Sequence, residues 1–387
     1  MITHQIRLTS MRGVACMVVI IGHCLGIFPI IPGAAASGSL LWPQSTLEFV
    51  QQILGVLFNG DAAVMVFFTL SGCVLAMQME RMPQSWGGTW SFYIRRVFRI
   101  YPLAIVAVLL GLAVVLALPR WFAQLPPGSA DAMTQSVSAL EIVKNLVMLS
   151  NDLDPPLWSL KVEIYLSIAF PLIYALTRRP LPLMIAILLG ILLIFADFLR
   201  HDTTRQAVLA FVLGAALPRH EVLRRDLERW ETPLLLVAVV VLMAARRLVE
   251  PAGMNRAWFI LPETICALIV IRSAYVKRPD CLWLDAPGVL WLGELSYGLY
   301  VLHMPILWII SSSLATVLGA TFVNTHGFVC SVALLAISLP ITLAAAAFTH
   351  RRVELPLQRL GRMLATQPPT RDTSAVPSPP SNSSPHQ

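Results

Sequence analysis

Long uninterrupted runs of hydrophobic residues recur along the chain, for example VVIIGHCLGIFPII near the N-terminus and LAIVAVLLGLAVVLAL after residue 102. These runs are too long for strands of a soluble core and lack the alternation of a membrane β-barrel, so they predict membrane-spanning helices. The pattern predicts ten helices, at residues 11–31, 62–79, 100–118, 158–176, 181–199, 204–218, 233–249, 257–272, 289–313 and 327–349.

The composition favours a membrane protein and argues against a water-soluble enzyme. Asp, Glu, Lys and Arg make up 13% of the 387 residues, against ~25% in an ordinary soluble domain, whereas hydrophobic residues make up 57%. The expected fold is all-α, a polytopic transmembrane helix bundle that forms one membrane domain over residues 1–365. Segment 366–387 is rich in Pro and Ser and is predicted to be a disordered tail.

Positive charge follows the expected membrane topology. The net charge is +7, but Lys and Arg lie at the ends of apolar runs, which argues against a nucleic-acid partner. With a cytoplasmic N-terminus, 20 of the 28 Lys and Arg residues fall in cytoplasmic segments, so both termini are predicted to be cytoplasmic. Helix boundaries stay open between the fifth and eighth helices, where four arginines crowd the outer face: Arg200, Arg205, Arg246 and Arg247.

The N-terminal segment also resembles a signal peptide, since it has a basic start, an apolar stretch and three consecutive alanines from Ala34. Its apolar run extends from Val14 to Ile31, longer than the roughly 7–15 residues usual in a signal peptide. A retained first helix is therefore favoured.

The six cysteines lie mostly inside apolar runs and include no C-x-x-C pair. Neither a disulfide framework nor a metal site is expected from them.

Arg12 and His23 bracket the first predicted helix. Eleven residues at about 1.5 Å each place His23 ~16 Å beyond Arg12, near the middle of a ~30 Å hydrocarbon core. An intramembrane histidine either forms a hydrogen bond between helices or acts as a base or ligand where reactants from the two sides meet. The residue pattern leaves both interpretations open.

Three arginines share one helix face in the segment YIRRVFRIYP, because Arg95 and Arg96 precede Arg99 by four and three residues. They are either a positive stop signal that contacts lipid headgroups or a clamp for an anionic phosphate ligand.

Further polar residues interrupt the apolar runs. A Ser-Gly pair is more often a close helix contact than a nucleophile, and a carboxylate facing lipid costs several kcal/mol unless it is paired or faces a cavity. An aromatic stripe alone indicates packing, but a stripe with a histidine and a nearby proline, Pro305, favours a cavity wall. The Ser-Gly pair is Ser71 and Gly72, and the carboxylate is that of Glu163. The stripe with its histidine consists of Tyr297, Tyr300 and His303. Three other acidic residues without a local pattern are interpreted as helix-end residues: Asp197, Glu263 and Glu294.

Six of these segments follow one another in a recognisable order: RGVACMVVIIGH, VFFTLSGCVL, RRVFRIYP, WSLKVEIYLSIAFP, LGELSYGLYVLHMPI and VELP. From Arg12 to Pro356 the chain thus resembles the integral-membrane acyltransferase-3 family. The resemblance implies transfer of an acyl group, commonly acetyl from acetyl-CoA on the cytoplasmic side, to a hydroxyl of a carbohydrate or other acceptor at the far side.

The resemblance also implies roles for individual residues. His23 is the expected catalytic base, and Arg12 and Glu163 are further candidate catalytic residues. The candidates for binding the phosphates of CoA are Arg95, Arg96 and Arg99. The candidates for binding the acceptor are Ser71, Tyr297, Tyr300 and His303, and Glu163 is expected to shape the same outer half of the bundle.

Two positions depart from the pattern of the family. Many members carry Asp two residues before the paired phenylalanines, where this chain has Met65, so the role of that acid is absent or is taken by Asp61. Many also carry an acidic or amide residue after the glutamate, where this chain has Ile164.

Two other function classes also suit a helix bundle with buried charges: a transporter or flippase of a glycan or lipid-linked substrate, and a structural partner that binds lipid-linked sugar without chemistry. No inverted repeat and no matched pair of interrupted helices supports a transporter. We therefore expect an O-acyltransferase, without a metal, that contacts acyl-CoA, a hydroxyl acceptor and membrane lipid in a bacterial inner membrane. The acceptor, the acyl group and the choice between direct transfer and an acyl-histidine intermediate stay open.

Overall fold

The computed structural model describes residues 2–28, 46–122, 137–196, 203–225, 227–249 and 257–365. These residues form helices joined by turns, without a strand among them, which confirms the all-α prediction for this part of the chain. The helices, numbered in chain order, are α1 (Ile2–Ile27), α2 (Thr46–Leu57), α3 (Gly60–Glu80), α4 (Trp86–Trp121), α5 (Ala139–Leu146), α6 (Trp158–Ile168), α7 (Phe170–Leu176), α8 (Pro180–Ala196), α9 (Thr203–Ala216), α10 (Glu221–Arg224), α11 (Glu231–Val249), α12 (Ala257–Tyr275), α13 (Pro287–Leu318), α14 (Ala320–Thr325), α15 (Gly327–Thr349) and α16 (Leu355–Ala365).

Short elements of other types join some of these helices. In the described part of the chain, 3-10 turns lie at Pro155–Leu157, Glu228–Trp230 and Pro279–Asp285. One turn of π-helix, His350–Glu354, connects α15 to α16 without a break in the helical path.

Six stretches of the described chain are long and apolar enough to cross a membrane, and the bent pair α6 and α7 would make a seventh span. Two shorter apolar helices, α8 and α9, accompany them. The chain is therefore an integral membrane protein, and a helix lies in each of the ten predicted ranges. The number of spans and the sides of the termini stay predictions, and the predicted tail, 366–387, lies outside the described residues.

Two helices differ from their predicted bounds. The range 158–176 is not one straight helix, because it bends by 62° between α6 and α7. Pro171 has no N–H for the carbonyl of Ser167, and its ring displaces that turn of the helix. The helix predicted at residues 100–118 begins earlier, at Trp86 of α4. The Ser85 hydroxyl caps this helix, because it accepts a hydrogen bond from the Gly88 N–H at 3.2 Å.

Helices α1 and α13 run parallel in direct contact. A Cβ atom on Gly13 would lie 2.5 Å from the backbone nitrogen of Gly293, so only glycine permits this approach. The same offset of 280 residues brings His23 beside His303 further along the two helices. The glycine contact thus sets the register that pairs the two histidines.

Ion pairs fasten the loops at one end of the bundle, which we call the arginine end, where α1 and α13 begin and α3 ends. Arg7 donates hydrogen bonds to Asp285 and lowers the pKa of that carboxyl below its usual value. Arg272 binds Glu231 at 2.6 and 2.7 Å, and these hydrogen bonds likewise lower the pKa of Glu231. Arg272 also donates to the carbonyl of Leu223, which ties the loop after α9 to α12.

Candidate active site

His23 of α1 is paired with a second histidine. Its Nδ1 lies 2.9 Å from Nε2 of His303, and the two ring planes are nearly parallel, inclined by 12° with the ring centroids 5.1 Å apart. His303 has 0% exposure, and its Nδ1 lies 2.5 Å from the carbonyl oxygen of Tyr300. His23 itself is only partly buried. Both interpretations of an intramembrane histidine therefore suit His23, since it bonds to another helix and keeps an open side.

The open side of His23 lines a cavity of about 260 Å³, which we call the distal cavity. Its wall is polar: Asp61 binds Arg246 at 2.5 Å, and the Asn59 amide donates to the carbonyl of Leu242 at 3.0 Å. The aromatic residues of the wall are Phe58, Trp158 and Tyr300.

A narrower cavity of about 80 Å³, the central cavity, lies next to the distal one. Glu163 forms its polar core, since Oε1 accepts hydrogen bonds from Arg96 at 2.7 Å and from Ser71 at 3.4 Å. The other polar residues of the wall are Arg12, Arg99, Ser159, Ser296, Tyr297 and Tyr300.

The central cavity carries excess positive charge. Arg12, Arg96 and Arg99 all lie close enough to Glu163 to act on its carboxylate electrostatically. Arg96 is bound to Glu163, whereas Arg12 and Arg99 form no salt bridge within the described ranges. Arg12 and Arg99 therefore have accessible guanidinium groups, while the carboxylate near them, that of Glu163, is already bound to Arg96. This arrangement favours an anionic or strongly polar ligand in the central cavity.

A third cavity of about 600 Å³ opens at the arginine end. Its cationic side chains are Arg81, Arg95 and Arg99, and the first turn of α4, with Ser85 and Gly88, completes one wall. A guanidinium cluster beside the N-terminal N–H groups of a long helix is suited to phosphate oxygens.

The three cavities are consecutive. Arg99 belongs to the walls of both the arginine-end and the central cavity, and Tyr300 belongs to the walls of both the central and the distal cavity. The three cavities therefore lie in a row between the arginine end and His23, and each shares a wall residue with the next.

Comparison with known proteins identifies the family of the chain. A family model described as "Acyltransferase domain" matches residues 5–345. The chain belongs to the acyltransferase-3 family. A relative described as acyltransferase MdmB of Streptomyces mycarofaciens is 24% identical to it over 348 residues, which cover 82% of this chain and 86% of the relative. No solved structure matches.

The structure of this family member distributes the predicted phosphate-binding residues over two places. Arg95 and Arg99 line the arginine-end cavity, but Arg96 does not. The Arg96 side chain has only 6% exposure and donates to Glu163 and to the Ser167 hydroxyl. Its place beside Glu163 corrects the expectation that all three arginines form one clamp.

The predicted acceptor-binding residues are also divided. Ser71, Tyr297 and Tyr300 line the central cavity, whereas His303 lies buried behind His23 and lines none of the three cavities. Glu163 lies in the central cavity beside Arg96, whereas His23 lines the distal cavity. That Glu163 shapes the outer half of the bundle stays a prediction.

Gly72, which follows Ser71, has a packing role. A Cβ atom at this position would lie 2.3 Å from the carbonyl oxygen of Phe211 on α9. This is the close helix contact that a Ser-Gly pair suggests in a membrane helix.

Several cavity residues of this acyltransferase were not singled out from the sequence. Arg81 and Asn59 lie at helix ends and carry no motif. Glu263, interpreted as a helix-end residue, lies behind the cavity wall, within α12 and with 0% exposure, 3.4 Å from the cavity residue Arg246. For Glu263 the available signal was a charged residue inside an apolar run.

The described residues of the acyltransferase hold no group of three or more His, Cys, Asp or Glu side chains arranged for a metal ion. Its six cysteines are buried and unbridged.

Proposed function

We propose that this acyltransferase moves an acyl group, acetyl in the first instance, from acyl-CoA at the arginine end to a hydroxyl group in the distal cavity. The observation that supports this proposal is the row of three adjoining cavities, which lies between a guanidinium cluster and the partly buried His23. Because Lys and Arg concentrate in the segments predicted to be cytoplasmic, the proposal places the arginine end in the cytoplasm of a bacterial cell, with ten spans and both termini inside.

The donor enters from the arginine end. Arg81, Arg95 and Arg99 bind phosphate oxygens of CoA, for which the guanidinium fork is well suited. The pantetheine arm then follows the central cavity past Arg12, and its thioester reaches Tyr300. Since Arg12 lies ~16 Å from His23 along α1, Arg12 holds the donor and does not touch the reacting carbonyl.

The acceptor enters from the opposite end. The distal cavity offers carboxylate, amide, guanidinium and indole groups to a polyhydroxylated molecule, through Asp61, Asn59, Arg246 and Trp158. Such a wall suits a carbohydrate or another hydroxyl-bearing molecule, with each hydroxyl able to donate to Asp61 or accept from Arg246.

The reaction itself needs a base and a donor for the developing oxyanion. His23 accepts the hydroxyl proton of the acceptor as its oxygen forms a bond to the thioester carbon. The hydroxyl of Tyr300, which lines both the central and the distal cavity, donates to the carbonyl of Pro156 at 2.9 Å in the structure, and in the proposed reaction it turns from this carbonyl to donate to the oxyanion of the tetrahedral intermediate. Collapse of the intermediate breaks the carbon–sulfur bond, and the imidazolium of His23 returns the proton to the thiolate, so that an ester and free CoA leave.

Labelled acetyl-CoA separates the candidate functions. Membranes that contain the protein are incubated with [14C]acetyl-CoA, and the label in surface glycans and in small hydroxylated metabolites is compared with that from membranes lacking the protein. The acyltransferase proposal expects protein-dependent label in an ester that mild base releases. A transporter, a flippase or a structural partner would leave the label in acetyl-CoA, and that result would refute the proposal.

A further inference from the structure

The hydrogen bond between His23 and His303 determines which nitrogen of His23 carries a proton. Nδ1 of His303 lies 2.5 Å from the carbonyl oxygen of Tyr300, and a carbonyl only accepts. Nδ1 of His303 therefore carries a proton. A cationic imidazolium with 0% exposure among apolar helices is costly, so His303 is neutral and its Nε2 is an acceptor.

The atom that meets this acceptor is Nδ1 of His23, 2.9 Å away. Nδ1 of His23 must then be the donor, which leaves Nε2 of His23 with a free lone pair. Because Nδ1 is directed at the buried His303, Nε2 belongs to the edge of the ring that borders the distal cavity.

We propose that His303 is a positioning residue that fixes His23 as the Nδ1–H tautomer and holds its basic Nε2 toward the acceptor hydroxyl. This inference rests on the proposed function, in which His23 is the base. His303 never touches the substrate. When Nε2 of His23 takes the hydroxyl proton, the positive charge strengthens the Nδ1–H bond to His303, and no proton has to move between the two rings.

The surrounding packing holds the pair in place. The ring planes of His23 and His303 are nearly parallel, inclined by 12°, and the contact between Gly13 and Gly293 fixes the register of the two helices. Cys16 and Ser296 are in contact with the same offset of 280 residues, since the Cys16 thiol lies 3.5 Å from the backbone carbonyl oxygen of Ser296. The chain of three groups, Tyr300 carbonyl to His303 to His23, is thus built on two helices that cannot slide past each other.

Two substitutions at His303 separate positioning from packing. In His303→Gln the side-chain oxygen is as many bonds from Cα as Nε2 of histidine, so it still accepts from His23. In His303→Asn the amide reaches only the position of Nδ1, so it keeps the polar contact with Tyr300 and loses the acceptor for His23. The two variants differ by one methylene, so they form a matched pair.

We expect His303→Asn to lower kcat for transfer from [14C]acetyl-CoA by about tenfold to a hundredfold, as loss of an orienting partner does elsewhere, with the KM for acetyl-CoA unchanged. His303→Gln should keep most of the activity. Equal kcat values for the two variants at matched expression would overturn the inference, because a purely structural role does not distinguish them.

A second measurement, on protein with His303 in place, covers the case in which the His303 variants do not fold. In 15N spectra of histidine-labelled protein in detergent, the signal that disappears in His23→Ala should be that of a neutral ring protonated at Nδ1. A ring protonated at Nε2 would overturn the inference. Failure of the proposed function can be distinguished from failure of this inference. It would appear as full transfer activity in His23→Ala, whatever the His303 variants show.

Discussion

Nη2 of Arg96 lies 2.7 Å from Oε1 of Glu163 and 2.8 Å from the hydroxyl oxygen of Ser167. This ion pair joins α4 to α6 immediately before the bend at Pro171. It also directs Arg96 away from the arginine-end cavity and leaves Arg95 and Arg99 to that cavity with Arg81. The salt bridge therefore gives Arg96 a structural role, whereas we assign Arg81, Arg95 and Arg99 to donor binding.

Breaking this ion pair on one side should destabilise the protein more than removing both partners. Glu163→Gln leaves the buried guanidinium of Arg96 without its counter-charge, and loss of one partner of a buried pair costs about 3–5 kcal/mol. The double variant Arg96→Met with Glu163→Gln should recover part of this loss. Thermal melting in detergent of the unchanged protein, Glu163→Gln, Arg96→Met and the double variant measures the coupling between the two residues. Strictly additive losses of stability would contradict the ion pair.

Arg99→Ala should weaken donor binding. Arg99 is the residue that the arginine-end and central cavities share, and a hydrogen bond to a charged group contributes about 1.5–3 kcal/mol, so the KM for acetyl-CoA should rise by about tenfold to a hundredfold. The matched control is Arg359→Ala, which removes an exposed arginine from α16 at the same end of the bundle. An unchanged KM in Arg99→Ala, with weaker acceptor binding, would move the donor site elsewhere.

Arg81→Ala should also raise the KM for acetyl-CoA, although Arg81 belongs to none of the sequence motifs. Its guanidinium lines the same cavity as Arg95 and Arg99, so its removal should affect the donor with little change in kcat. Arg81→Lys keeps the charge and should restore part of the affinity. A loss confined to kcat would contradict the placement of the phosphates.

The Arg272–Glu231 pair predicts a pH-dependent stability. Arg272 lowers the pKa of Glu231, so the pair stabilises the fold fully above the unfolded carboxyl pKa of about 4.3, and this contribution is lost as pH falls through the lower folded value. Glu231→Gln should therefore lower the melting temperature at pH 7, and its difference from the unchanged protein should shrink in acid. A difference that is constant with pH would show that the charge is not responsible.

Hydrophobic patterning was enough to predict the helices of this bundle, because apolar runs of membrane length have few alternatives. It did not predict the small polar helices between them. The capping box of α5, in which Ser138 and Glu141 exchange hydrogen bonds with the backbone, is nevertheless readable as S-x-x-E. The bend after Ile168 was likewise signalled by Pro171.

The partners of the site residues could not be predicted from the sequence. Helical spacing placed Arg95, Arg96 and Arg99 on one face, but Arg96 meets a glutamate 67 residues away. His23 meets His303 across 280 residues. Local periodicity carries no information on such contacts, which depend on how the helices pack.

Transfer of label from [14C]acetyl-CoA by membranes containing His23→Ala tests the account most directly. His326→Ala is the matched control, because it removes an exposed histidine that stacks only on Phe322 in α14. We expect the control to keep full transfer and His23→Ala, at equal expression and insertion, to lose it. Substantial transfer by His23→Ala would show that the acyl group moves without this imidazole and would contradict the mechanism.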